Sequence, residues 1–113
     1  MPFINVKTNA SINQENELKI KAQLGEAIKL IGKSESWLMI NFEDKQRMYF
    51  RGDNSSNMAF VQVDLYGAAS SSAYNSMTGA ITESLNKELG IEPDKIYVKY
   101  SEIKNWGFNG GNF

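Results

Sequence analysis

Proline stands at position 2, directly behind Met1, where its nitrogen could do acid–base chemistry open to few other groups in this chain. A small second residue ordinarily lets the methionine be removed, and the chain would then begin with a secondary amine. An α-amino group has an ordinary pKa near ~8, and burial or a neighbouring cation lowers it further. A rigid amine that is partly neutral at pH 7 suits a general base. The plainer role is only to permit processing, and position alone does not choose between the two. Composition narrows the field. The chain has no histidine and no cysteine, so no Ser-His triad, imidazole ligand, thiol nucleophile, disulfide or thiolate metal site is available. A proton abstracted near neutral pH must go to a carboxylate, a lysine, a tyrosine or the amino terminus.

Lys33, directly after Gly32, is the second candidate. A lysine beyond a helix C-terminus serves the helix dipole and solubility. It is also a group that could bind a substrate carboxylate and depress the pKa of a nearby amine. The third is the tail Trp106-Gly107-Phe108-Asn109-Gly110-Gly111-Asn112-Phe113. Glycines between aromatics suit a loop that wraps a neighbour or lines an apolar pocket, and equally a tail packed on its own domain. Tyr97 and Tyr100, three residues apart on a strand, face opposite ways. No carboxylate pair stands out: Glu43-Asp44, Glu83 and Glu88 fall where turns and solvated helix faces put them. Ser70-Ser71-Ser72 has neither a base partner nor a P-loop lysine and reads as a helix N-cap region.

With 113 residues the chain is one domain's worth, 1–113, and 42% apolar against 22% charged residues favours folding over disorder. Twelve basic and thirteen acidic side chains give −1, too balanced for an electrostatic footprint on nucleic acid or on an anionic membrane. The first thirty residues lack the apolar core of a signal peptide, and no stretch approaches the ~18 apolar residues of a membrane span. The default compartment is the cytoplasm. The sequons at Asn9 and Asn54 matter only in a secretory compartment, and Arg51-Gly52-Asp53 reads as a strand end meeting a turn.

The elements that must position these residues follow from periodicity. Phe3 to Thr8 alternates as a strand. Asn13 caps a helix with Glu15 and Glu17 in its first turn, whose inward positions Ile20, Leu24, Ala27, Ile28 and Ile31 end at Gly32. Trp37 to Phe42 reads as a strand, apolar on nearly both faces, and Arg47 to Phe50 as a short hairpin arm after an Asp44-Lys45 turn. Ala59 to Leu65 is a strand; a helix follows with Tyr74, Met77, Ile81, Leu85 and Leu89 inward and Gly90 at its end; Lys95 to Tyr100 is the last strand. The halves superpose with Gly32 on Gly90 and Trp37–Phe42 on Lys95–Tyr100. This is an α+β fold, a tandem β-α-β pseudo-repeat giving a four-stranded mixed sheet with two helices on one face. The counterpart of Lys33 is Ile91, so the repeat does not demand a cation there. A sheet apolar on its second face needs cover that a domain this small lacks, which predicts an oligomer.

Four segments in register resemble the macrophage migration inhibitory factor family of the tautomerase superfamily. They are Met1-Pro2-Phe3-Ile4-Asn5-Val6-Lys7-Thr8-Asn9, Gly32-Lys33 before a strand, Asp94-Lys95-Ile96-Tyr97-Val98-Lys99-Tyr100, and Asn105-Trp106-Gly107-Phe108-Asn109-Gly110. The resemblance runs the whole length with about one gap, near Asn57. It implies a homotrimer whose three sheets form a central barrel. It also implies a cofactor-free, metal-free keto–enol tautomerase for phenylpyruvate-like or dopachrome-type compounds, small aromatic α-keto acids among them. By the resemblance the amine of Pro2 is the base, and Lys33 holds the carboxylate or stabilises enolate charge. The backbone at Tyr66 donates to the substrate, Tyr97 and Lys99 come from the adjacent subunit, and Trp37, Trp106, Phe108 and Phe113 wall the pocket.

The alternative that the resemblance implies is a secreted, cytokine-like protein, exported without a leader, that binds a cell-surface receptor of a host and keeps the pocket as an incidental feature. The chain departs from the family in three ways. Lys99 stands where many members have asparagine, and a second cation near Pro2 favours the neutral amine. Tyr66 replaces a commoner isoleucine. The Cys-x-x-Cys of some homologues is missing, so thiol–disulfide activity is not carried over.

Overall fold

The computed structural model describes residues 1–113. Strand β1 (Pro2–Thr8) is followed by α1 (Gln14–Ala27), which tightens into a 3-10 turn at Ile28–Ile31. The Asn13 side chain accepts from the Asn16 N–H and satisfies one of the free donors at the helix start. Gly32 ends the segment at φ 75°, a left-handed conformation that glycine adopts without a Cβ penalty. Strand β2 (Met39–Glu43) pairs parallel with β1. Strand β3 (Ala59–Tyr66) pairs antiparallel with β1, and α2 (Ser71–Leu89) leads to β4 (Ile96–Ile103), parallel to β3. The sheet order is β2-β1-β3-β4, mixed and four-stranded, as the repeat requires. No helix is long and apolar enough to cross a membrane.

The core lies between the sheet and both helices. Ile4 and Val6 from β1 and Val61, Val63 and Leu65 from β3 meet Ile20 and Leu24 of α1 and Met77, Ile81 and Leu85 of α2, all fully buried. Each of these side chains contributes about 1.5–3 kcal/mol by leaving water. Ile91, the repeat counterpart of Lys33, is fully buried in the same core.

Four expectations change. Trp37 is not in a strand: Ser34 accepts from the Ser36 N–H and nucleates a 3-10 turn over Glu35–Trp37, so β2 begins only at Met39. The hydroxyl offers the backbone a local partner that competes with the sheet ladder. The hairpin arm at Arg47–Phe50 does not form either. Phe50 instead pairs with Asp53 across a tight turn in which Arg51 and Gly52 both have positive φ. Lys95 closes a 3-10 turn, so β4 begins at Ile96. At the other end, β4 runs on to Ile103, which pairs with Tyr66.

The second face of the sheet is also less apolar than its edge residues imply. Three rows cross it: Met39–Phe3–Asp64–Ser101, then Asn41–Asn5–Gln62–Lys99, then Glu43–Lys7–Phe60–Tyr97. The middle row is an amide ladder. Asn41 Nδ2 donates to Asn5 Oδ1 at 2.9 Å, and Asn5 Nδ2 donates to Glu43 Oε2 at 2.8 Å and Gln62 Oε1 at 3.3 Å. Apolar cover is needed above and below this band, where Met39 is 68% and Tyr97 58% exposed.

Candidate functional site

Pro2 opens β1 opposite Leu65 and is buried. Proline fits the first position of a strand because no ladder N–H is lost there. The Tyr66 N–H donates to the Met1 carbonyl oxygen at 3.0 Å. That oxygen is two bonds from the Pro2 nitrogen, so a strong donor already points at the space beside it.

Lys33 reaches the same place from the other side of the fold. Gly32 turns the chain back, and Lys33 extends from the helix end until Nζ donates to the Tyr66 carbonyl oxygen at 2.8 Å. The amino group of Met1 is held below its ordinary pKa, first by burial and then by the charge of Lys33. Both effects disfavour an ammonium and favour a free amine. Gly67 follows at φ 97°, and a Cβ on it would lie 3.6 Å from Lys33 Nζ.

Aromatic rings wall the opening. Trp37, turned out of the sheet by the Ser34 cap, meets Phe108 edge to face at 5.2 Å and 88°. Phe108 stacks with Phe113 at 6.3 Å and 9°, and Phe113 lies over Tyr66 at 5.6 Å. The tail holds this geometry with a tiny hairpin, β5 (Gly107–Phe108) against β6 (Gly111–Asn112), turned at Asn109 and Gly110 with positive φ. The Phe113 N–H donates to the Trp106 carbonyl at 3.0 Å and closes it. A cleft of about 510 Å³ results, lined by Met1, Pro2, Phe3, Trp37, Met39, Asp64, Trp106, Gly107 and Phe108.

Of the residues singled out in the sequence, Pro2, Lys33, Tyr66, Trp37, Trp106, Phe108 and Phe113 gather at this end of the sheet. Tyr97 and Lys99 do not. Pro2 is opposite Leu65, which in turn is opposite Glu102. Tyr97 lies five positions further along β4, about 16 Å away at the rise of a strand. There it packs edge-on against Phe50 and Phe60. Lys99 is beside Gln62 in the amide row. Within one chain Tyr97 belongs to the opposite end of the exposed sheet face and Lys99 to its middle.

Sequence reasoning missed Asp64, Phe3 and Met39 as cleft residues. The signal was present for Asp64, because alternation along β3 puts it on the same face as Tyr66 once Val63 and Leu65 are assigned to the core. A groove of similar size, about 530 Å³, runs between α1 and α2. Its floor is closed by a Ser84 hydroxyl to Gln23 hydrogen bond, and its wall is alanine with the solvated side chains of Glu26, Glu83 and Lys87. It brings no donor pair to a common point, so the Pro2 cleft is the better candidate for chemistry.

A model of the macrophage migration inhibitory factor family matches residues 1–113. A homologue of that factor from Brugia malayi is 26% identical over 115 residues, covering 100% of this chain and 99% of its own. The factor from Xenopus laevis is 24% identical with the same coverage. Among solved structures, Leishmania major MIF2 is 32% identical, superposes with a TM-score of 0.92, and covers 100% of this chain and 97% of its own. With the family's pattern matched along the whole sequence, the chain belongs to the macrophage migration inhibitory factor family.

Proposed function

We propose that this chain is a cofactor-independent isomerase, a keto–enol tautomerase acting on small aromatic α-keto acids of the phenylpyruvate type or on dopachrome-type substrates. The observation that carries this reading is the Tyr66 N–H donating to an oxygen beside the Pro2 nitrogen, with the Lys33 ammonium on the carbonyl of the same residue. When Met1 is removed, Pro2 becomes a secondary amine and that N–H is free for a substrate oxygen. The amine takes a proton from the carbon next to the carbonyl. Electrons move to the oxygen, and the enolate charge is met by Tyr66 N–H and Lys33. The ammonium of Pro2 then returns its proton to the enolate oxygen, which completes the isomerisation. While Met1 stays attached, the proline nitrogen is an amide and cannot serve.

The working molecule in this reading is a homotrimer in which each chain, a single domain, covers its neighbour's second sheet face. Tyr97 and Lys99, remote from Pro2 in their own chain, then reach the cleft of the adjacent copy. Supporting this are the exposed Met39 and Tyr97 on that face and the family membership of the chain. The test is the rate of phenylpyruvate enol–keto conversion by chain lacking Met1, compared with its Pro2→Gly variant. A loss of at least ~100-fold is expected, the scale of a positioned general base. Equal rates would defeat the assignment.

A further inference from the structure

We infer that Asp64 and Lys99 form an ion pair across the subunit boundary at the floor of the Pro2 cleft. The inference rests on the trimer reading above and adds a contact that reading does not contain. It follows from counting charges on the exposed sheet face. The strands carry four there: Lys7, Glu43, Asp64 and Lys99. Lys7 and Glu43 are register neighbours on β1 and β2. The other two are left without a match. Asp64 sits between Phe3 and Ser101, and Lys99 stands at the end of the amide row beside neutral Gln62.

The only ion pairs within the chain are Lys19–Glu15 and Lys29–Glu26, both on the first helical segment. Asp64 and Lys99 lie in adjacent rows, on adjacent strands, yet do not meet. Asp64 is half-buried already and is the one acid lining an otherwise apolar cleft with Pro2, Trp37 and Phe108. A second copy closing over the cleft would strip its remaining water, which is costly for an unpaired carboxylate. A cation must arrive with that copy. Lys99 is the exposed strand lysine with no acid in its own row, on the face that the copy presents. Pairing the two leaves the cleft floor close to neutral, so that Lys33 remains the charge that acts on the Pro2 amine.

The experiment is a charge-reversal set followed by sedimentation at several concentrations and salt levels. Asp64→Lys alone and Lys99→Asp alone each put like charges at all three boundaries. Each is expected to need at least tenfold more protein to assemble than the unaltered chain. The doubly exchanged chain, carrying both substitutions, recovers assembly. Mixing the two single variants in equal amounts also recovers it, because two of three boundaries in a mixed trimer are then matched. Recovery on mixing is the deciding result, since a pair formed inside one chain cannot be repaired by another. Single variants that assemble like the unaltered chain, or a mixture as weak as its components, would overturn the pair. Unaltered chain that sediments as a monomer would instead overturn the trimer reading, and circular dichroism of each variant separates lost assembly from lost folding.

Discussion

The Lys33 ammonium donates to the Tyr66 carbonyl at 2.8 Å, tying the end of the first helical segment to the end of β3. The bond puts a fixed positive charge next to the Met1 amino group, which is held below its ordinary pKa by burial and then by that charge. Replacing Lys33 by methionine removes the second cause and leaves the first. In chain lacking Met1 the amine of Pro2 takes that place, so the substitution should raise its pKa and leave a smaller fraction neutral at pH 7. The expected result is a pH profile of kcat/KM whose lower limb moves to higher pH, with the plateau reduced about 10- to 100-fold by the lost enolate contact. A profile that only drops, with no displacement, would argue that Lys33 does not act on the amine.

The Met1 carbonyl holds the Tyr66 N–H at 3.0 Å, so removal of Met1 changes two things at once. It creates the secondary amine of Pro2 and it frees a donor. Chain that keeps Met1, verified by intact mass, should show at least ~100-fold lower enol–keto conversion than chain from which an aminopeptidase has removed it. Activity that is equal before and after removal would exclude Pro2 as the base.

How far this site could be read from the sequence depends on how local its causes are. Pro2, Gly32-Lys33 and the aromatic tail are legible because each is a short segment with its own chemistry. The two helices and four strands are legible because Ile20, Leu24, Met77 and Ile81 recur with helical period while Val61, Val63 and Leu65 alternate. Trp37 was misread because the apolar run through Phe42 outweighs, in a period argument, the one hydroxyl of Ser34 that turns the chain. The amide row could not be read at all. Asn41, Asn5 and Gln62 lie on three strands, and only strand register brings them together. Asp64 is legible in part: alternation along β3 assigns its face, but only pairing with β1 sets it beside Phe3 and Pro2 and apart from the other carboxylates.

Phe108 contacts both Trp37 and Phe113 yet is 50% exposed, so it contributes more to the shape of the cleft than to the fold. An aromatic pair of this kind is worth about 0.5–1.5 kcal/mol. Phe108→Ala should raise KM for phenylpyruvate by about 3- to 10-fold with little change in kcat, because the ring carries no group that can take or give a proton. The unfolding midpoint should move by only a few degrees. A kcat loss as large as that of Pro2→Gly would instead place Phe108 in the chemical step.

Asn5 is the centre of the amide row, buried, and both its carbonyl and its NH₂ group are used: it accepts from Asn41 and donates to Glu43 and Gln62. Asn5→Ala strands three partners at once on a face that assembly would dry. The expected cost is about 1–3 kcal/mol in urea unfolding, the penalty of leaving buried polar groups unmatched. Asn5→Asp keeps the size but sets a carboxylate against Glu43 in place of a donor, so at pH 7 it should be less stable than Asn5→Ala. Protonation of either carboxylate relieves the clash. Stability of the Asn5→Asp chain, measured relative to Asn5→Ala, should therefore improve as pH falls from 7 toward the ordinary carboxylate value near ~4, because repulsion raises the folded-state pKa of the pair above it. If the two variants instead keep a constant difference between pH 7 and pH 4, the clash is not electrostatic, and the row is held by shape alone.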